Sequence, residues 1–495
     1  MKTLLLPAFL LLLCFGATQP AAARPPDVLV ILTDQWNPRY VSWDDPQVRT
    51  PHLAAIAREG MIFDACYVTS PVCMPSRVSL LTGLFPHNHG HALWGNAAGY
   101  FPAPENAPMF RDIRAAGYTT AQIGKTHWTA GPGWREHFKN SGAFFTALGL
   151  DHVADIPGPP DTAHGRDPYS QHLQKLGLAE AVAADIRQRY VRWEFEPRAS
   201  VVTTEDYHDS FVTGLAADYI RAQPSEKPLC LVVSLHAPHP PLDAPGEFAT
   251  MFDPEKLTLP PNVPETFKRE NRTLDHAETR RMLANYLGKI ALVDHCIGQL
   301  IAAMQARGTW RDALVIFTSD HGEMMGAHGA LTKGRFHEES VRVPLVIRWP
   351  GRVKPGRTGA LAQMMDVYPT IVEAIGGAVT PRRMAKSLLP VATGAKTSVR
   401  SLAISEIGHA APVRIMARDQ RFKYWADEQR EYLFDLESDP FEMRDLAGSS
   451  EHRETLHRMR EKLLTHLRST QVNFSEGYKP KVQRLRESEA GKPDE

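Results

Sequence analysis

The chain is short of cysteine, of net charge and of any long apolar run, and each shortage removes a class of protein. Five cysteines in 495 residues are too few to staple a chain of this size, so stability must come from a buried core. Lys and Arg together number 56, as do Asp and Glu, which leaves no overall field to draw the protein onto nucleic acid or an anionic membrane. Any anion has to be met by a local cluster. The run Leu4–Gly16 falls short of the roughly 20 apolar residues that cross a bilayer. Lying between Met1-Lys2 and Ala21-Ala22-Ala23, it has the charged start, apolar middle and small-residue end of an export signal. Residues 1–23 are therefore expected to be a signal peptide, and the rest to act in the periplasm or outside the cell. Leu11-Leu12-Leu13 ahead of Cys14 lacks the small residue that lipid attachment would want. No internal repeat is present.

What is there is core material. Hydrophobic residues make up 43% of the chain, enough for a large globular body of two domains. Apolar runs at Asp27–Asp34, Thr119–Lys125, Leu229–His236 and Ala313–Asp320 end in polar residues and read as buried strands. Helical spacing at Pro51–Gly60, Pro75–Gly83, Tyr207–Ala222 and Thr279–Arg307 alternates with them. That alternation predicts an α/β domain with a large, mainly parallel central sheet flanked by helices. Ligands of such sheets bind beyond the carboxyl ends of the strands, where Asp34, Lys125 and Asp320 stand, with His239 just past its strand. The stretch 131–200, rich in Pro, Gly, His and aromatics, reads as an insertion bordering the site. After Gly376 come shorter runs at Leu402–Glu406, Val413–Ala417, Arg421–Trp425 and Glu431–Asp435, then a helical stretch over Glu451–Arg468 and a charged tail from Pro480. The expected division is a large domain over 24–385 and, over 386–495, a smaller α+β domain with an antiparallel sheet plus helix.

The most specific string is Cys73-Met74-Pro75-Ser76-Arg77, followed by Leu80-Leu81-Thr82-Gly83. Pro75 suits a first helical turn, which puts residue 73 near a helix N-terminus where backbone N–H groups favour an oxyanion. Here the chain resembles the sulfatase family, in which Cys-x-Pro-Ser-Arg directs oxidation of the cysteine to formylglycine. Further parts of the resemblance run through most of the chain: Thr33-Asp34-Gln35, Thr50-Pro51-His52-Leu53, Gly124-Lys125-Thr126-His127, Ala237-Pro238-His239-Pro240, Thr318-Ser319-Asp320-His321-Gly322, Lys333, and Leu433-Phe434-Asp435 through Asp439-Pro440. Each alone is weak, and their order and spacing together are specific.

The resemblance implies a divalent metal between Asp34, Gln35, the formylglycine made from Cys73, Asp320 and His321. Two carboxylates make an oxygen-rich site suited to calcium. The commoner family pattern has Asp at position 35 and Asn at 321, and a nitrogen ligand at His321 keeps manganese and magnesium open. Lys125, His127, His239 and Lys333 match the family's cationic cradle for a sulfate monoester. By resemblance Arg77 orients the formylglycine hydroxyl, His127 takes a proton from the second hydroxyl, and His239 with Lys333 protonates the leaving oxygen, with His236 a weaker candidate. His87, His89 and His91 read as a pocket wall, a second metal being the lesser alternative. Trp36, Arg39, Trp94, Trp128 and Arg335 are candidates for contact with the alcohol portion of the substrate, packing being the alternative.

The implied activity is hydrolysis of a sulfate ester on a sulfated saccharide or small molecule. The implied partner is a formylglycine-generating or anaerobic sulfatase-maturating enzyme, with neither nucleic acid nor a membrane span involved. A formylglycine-dependent phosphonate or phosphate ester hydrolase shares the nucleophile and the metal, and a non-catalytic glycan-binding protein is the remote alternative.

Overall fold

Each of the four apolar runs forms a strand, and five more stretches that the sequence reading passed over join them. In the computed structural model, which describes residues 24–90, 104–128, 142–158, 167–192, 195–408, 414–427 and 430–470, the central sheet has nine strands. In chain order they are β1 (Val28–Asp34), β2 (Met61–Tyr67), β3 (Thr119–Gly124), β4 (His152–Asp155), β5 (Leu229–Pro238) and, after a hairpin of β6 (Thr266–Arg269) and β7 (Arg272–Asp275), β8 (Leu314–Ser319), β9 (Arg342–Val343), β10 (Leu345–Arg348) and β11 (Gly356–Gln363). Across the sheet the order is β11-β2-β10-β8-β1-β5-β3-β4, with β9 beside β2. Only β9 and β10 run against the rest, so the sheet is mainly parallel. The expected signal peptide, His91, Trp94 and the tail from Pro480 lie outside the described residues.

Alternation along β1 shows why both faces must be covered. Leu29 and Ile31 enter one apolar cluster while Val28, Val30 and Leu32 enter another, because successive side chains of a strand point to opposite faces. On the first face lie the helices His208–Ala222 and His276–Ala306. The second of these is long and apolar enough to cross a bilayer, but most of it is buried inside the protein. It starts at a reciprocal capping box between Asp275 and Glu278. On the other face lie Cys73–Thr82 and Val367–Ala374.

Stretch 131–200 is more than an insertion. Its β4 pairs in parallel with β3 and forms the end of the sheet. It went unread because His152–Asp155 is short and polar, and its place is fixed by β3 alongside.

Beyond the large sheet, β12 (Ala403–Ile407), β13 (Arg414–Arg418), β14 (Phe422–Ala426) and β15 (Glu431–Asp435) form an antiparallel meander. Met416, Trp425 and Phe434 point into the apolar cluster of the large sheet. Their neighbours Ala417, Tyr424 and Leu433 pack with Met459, Leu463 and Leu467 of the helix Arg453–Ser469.

Candidate active site

Sheet order gathers the polar strand ends. β8, β1, β5 and β3 are consecutive neighbours, so Asp320, Asp34, His239 and Lys125, which end or follow these strands, come to one edge. Asp34 is opposite Pro238 in the register. Cys73 opens the helix Cys73–Thr82 and Arg77 lies one turn on, with every residue of that helix buried. Lys333 arrives from a loop after β8.

Around Cys73 Sγ stand Lys333 Nζ at 3.0 Å, His321 Nε2 at 3.0 Å and Asp34 Oδ1 at 3.8 Å. Burial and the Asp34 charge push the thiol up, yet Lys333, His321 and Lys125 outweigh them and hold it well below the ordinary thiol range. Lys125 Nζ meets Asp34 Oδ2 at 2.5 Å. Despite burial, the charges of Lys125, His239, Lys333 and Arg77 hold the Asp34 carboxyl well below its usual range. Asp320 goes the other way, pushed up by burial that Arg77 does not offset, with Asp34 adding repulsion. Two buried carboxylates in such proximity need positive charge beside them, and Lys125 and Arg77 bring it.

Arg77 is occupied with these carboxylates. Its Nε donates to Asp320 Oδ2 at 2.7 Å, and its Nη1 donates to the Lys125 carbonyl at 2.9 Å and to Ser234 Oγ at 2.8 Å. Its Nη2 is 3.5 Å from Asp34. No hydrogen bond joins it to Cys73 among the described residues. The guanidinium thus bridges the two carboxylates.

The donor set fits a divalent cation. Ligand atoms of Asp34, Cys73, Asp320 and His321 lie within 4.8 Å of one another. His321 Nδ1 faces the Gly322 carbonyl at 3.0 Å. With a proton on Nδ1 the ring would turn its Nε2 lone pair, 3.5 Å from both Asp34 Oδ1 and Asp320 Oδ1, toward a bound cation. Without a cation, and against the effect of burial, Asp320 and Cys73 push the imidazole's pKa up. Gln35 adjoins this set: its backbone N–H donates to Asp320 Oδ1 at 3.2 Å and its Oε1 accepts from Lys333 Nζ at 2.9 Å.

His239 is held as an acceptor. Its Nδ1 faces the Pro240 carbonyl at 2.6 Å, so Nε2 takes a hydrogen bond from Lys333 Nζ at 2.8 Å. Burial and the Lys333 charge bring its pKa down to about 4. In this hydrogen bond Lys333 is the donor and His239 the acceptor. His236, ring to ring with His239 at 4.7 Å, is buried behind it and held well below its usual range, chiefly by burial. His127 takes a left-handed φ of 48°, and its buried Nδ1 has no partner among the described residues.

Several other expected residues lie elsewhere. His87 bonds Glu406 of β12 and, through Nε2, Thr470 at 3.1 Å. His89 Nε2 meets Ser79 Oγ at 3.0 Å. The first ties the turn after the Cys73–Thr82 helix to the smaller sheet, and the second folds that turn back onto the helix. Trp36 is in the core, edge-on to Phe317 at 5.2 Å, and Trp128 packs with Phe110 and Phe145. Arg39 is paired with Glu339 at 2.9 Å and lies over Phe441. Arg335 alone of the described group is exposed.

Sequence reading missed a supporting row. Tyr286 Oη donates to the Gln35 carbonyl at 2.6 Å, Lys289 Nζ donates to the His239 carbonyl at 2.6 Å, and Glu323 bonds the Gln35 amide. Tyr286 and Lys289 sit in an apolar helix where no motif marks them, whereas Glu323 follows directly on Asp320-His321-Gly322 and could have been found.

The family model described as Sulfatase matches residues 26–377, and that described as N-sulphoglucosamine sulphohydrolase, C-terminal, matches 326–469. The multifunctional alkaline phosphatase superfamily protein PehA of Trinickia caryophylli is 29% identical, over 85% of this chain and 91% of its own length. An arylsulfatase of Clostridium perfringens is 27% identical, over 92% of this chain and 97% of its own. Among solved structures, the phosphonate monoester hydrolase of Silicibacter pomeroyi superposes with a TM-score of 0.75 at 25% identity, covering 90% of this chain and 96% of that one.

Proposed function

The chain belongs to the sulfatase family, and from that premise we propose that it is a sulfuric ester hydrolase whose working nucleophile is a formylglycine made from Cys73, assisted by a divalent metal at Asp34, Gln35, Asp320 and His321. The observation that carries this is the position of residue 73, at a helix N-terminus within 3.0 Å of both Lys333 Nζ and His321 Nε2. Cys73 Sγ stands where a formylglycine hydroxyl oxygen would be. Hydrated formylglycine supplies an oxygen nucleophile with a second hydroxyl through which sulfate can be released, and the metal, calcium by preference, supplies charge that draws the sulfate oxygens.

The chain's own residues do the rest. Lys125 and Lys333 bring ammonium groups to the anionic ester, where low-dielectric surroundings strengthen their pull on the non-bridging oxygens. Arg77 keeps both carboxylates aligned. Lys333 holds the proton for the leaving oxygen and shares it with His239 across their 2.8 Å hydrogen bond, so the two act as one acid. His127 is the remaining base. Maturation by a formylglycine-generating or anaerobic maturating enzyme and export to the periplasm or beyond belong to the same proposal. The match to an N-sulphoglucosamine sulphohydrolase C-terminal family model supports a sulfated saccharide as the substrate class.

Mass spectrometry of the peptide containing residue 73 tests the nucleophile, and formylglycine is expected. Thiol alone in fully active protein would overturn it. A second reading, phosphonate monoester hydrolysis, is favoured by the likeness to the Silicibacter pomeroyi enzyme. Matched nitrophenyl sulfate and phosphonate esters separate the two, with the higher kcat/KM expected for the sulfate.

A further inference from the structure

Position 35 carries an amide, and the reason lies behind it. Gln35 Oε1 accepts from Lys333 Nζ at 2.9 Å, while Nε2 donates to Glu323 Oε2. This fixes which way the amide points: turned over, it would set donor against ammonium and acceptor against carboxylate. Glu323 cannot turn away either. It is fully buried, and its Oε1 accepts from Met325 N at 2.9 Å and Thr332 N at 2.7 Å. Those backbone groups bound the loop that delivers Lys333, and Met325 and Thr332 both have left-handed φ, 44° and 67°. Such backbone persists in residues bearing a Cβ only where surrounding bonds insist on it.

We infer that Glu323 is the positioning residue that makes position 35 a neutral oxygen donor: it holds the Gln35 amide with Oε1 toward Lys333 Nζ, which itself reaches Cys73, and, through the same carboxylate, fixes the loop that carries Lys333. This rests on the metal reading proposed above. It has a counterintuitive consequence. A carboxylate at position 35 adds negative charge beside a cation site and on that ground alone should tighten binding. With Glu323 behind it, the new carboxylate instead faces a buried carboxylate where it had a hydrogen-bond partner, the two repel, and the ligand is lost.

An isosteric, charge-conserving swap tests this on the full-length protein. Calcium and manganese affinity is measured by titration calorimetry on Gln35→Glu, Glu323→Gln and the double variant. Each single variant is expected to bind about 10- to 100-fold more weakly, the usual cost of losing an outer hydrogen-bond partner. In the double variant the amide now at position 323 donates to the carboxylate now at position 35, and affinity should return to within several-fold of wild type. The same cycle on Tm in metal-free protein reads the pairing itself, both single variants lowering Tm and the double restoring it. A Gln35→Glu variant that binds more tightly than wild type, or additive single effects, would overturn the inference while leaving the metal in place. Wild-type protein that takes up no divalent ion, with the Tm coupling intact, would remove the metal reading and this inference together.

Discussion

Two clusters of buried charge stand a short chain distance apart, and they differ in what the charges face. At the junction of the two sheets Lys423 Nζ lies between Glu338 at 2.8 Å and Glu442 at 2.5 Å, and Arg342 closes on Glu338 at 2.8 Å. Residues distant in sequence are thereby tied together, charge against opposite charge. At the sheet edge the same residue types surround one thiol: Lys333 reaches Cys73 Sγ, and Asp34 and Asp320 share His321. His328, Glu339 and Glu442 of the junction are also close enough to bracket an ion, but Arg39 and Lys423 already neutralise those carboxylates. The difference teaches that burial and charge alone do not mark a catalytic site. The edge carboxylates are paired too, Asp320 with Arg77 and Asp34 with Lys125. What sets the edge apart is that they converge, with His321 and Lys333, on the Cys73 side chain at a helix N-terminus, an arrangement fitted to a cation and an anionic substrate.

If that distinction holds, changes at the edge should cost chemistry and changes at the junction should cost stability. Asp320→Ala is the largest case. It should lose bound metal and turnover together, by about 10⁴-fold or more, while circular dichroism stays native. Full metal occupancy after dialysis would place the metal elsewhere. His239→Ala comes next and asks about role. Alkyl or sugar sulfates should slow by about 10² to 10⁴, and an activated nitrophenyl sulfate far less, because only a basic leaving oxygen needs the proton. Equal losses would make His239 a sulfate-binding residue and leave Lys333 the sole acid.

At the junction, Lys423→Met strands Glu442, while Glu338 keeps Arg342, and should cost about 3–5 kcal/mol in urea unfolding, with kcat of the folded fraction unchanged. A fall in kcat without loss of stability would erase the contrast between the clusters. The smallest effect is one of pH. His466, on the helix behind the small sheet, is held down to about 4 by burial and by His87, Arg400 and Lys386, against 6.5 unperturbed. Its folded pKa is therefore below its unfolded one, so the unfolded chain binds more protons in that window and stability drains away as pH falls from 6.5 toward 4. His466→Gln should flatten the profile of unfolding free energy against pH there by roughly 1–2 kcal/mol, and an unchanged profile would assign the acid limb to other histidines.

Much of this was legible in the sequence because its signals are local. The apolar runs that became β1, β3, β5 and β8 carry their polar residue at the end where ligands bind, and Cys73 to Arg77 is specific as a string. Short or polar strands such as β4 gave no such signal, nor did β2, β10 and β11 stand out among the helices. Whether Trp36 and Trp128 face substrate or the core stays open in the sequence, because an aromatic beside a motif looks the same either way; both are buried.

By itself the sequence determined which polar residues end the strands, that Cys73 opens a helix, and the two-sheet plan, since each depends on residue type and on spacing within one element. Tertiary structure alone decided the partners. That His239 accepts from Lys333, that Arg77 serves the carboxylates and that Glu323 turns the Gln35 amide depend on groups 94, 243 and 288 residues apart in sequence. Protonation and orientation follow from what a side chain faces after folding, and no spacing along the chain encodes that.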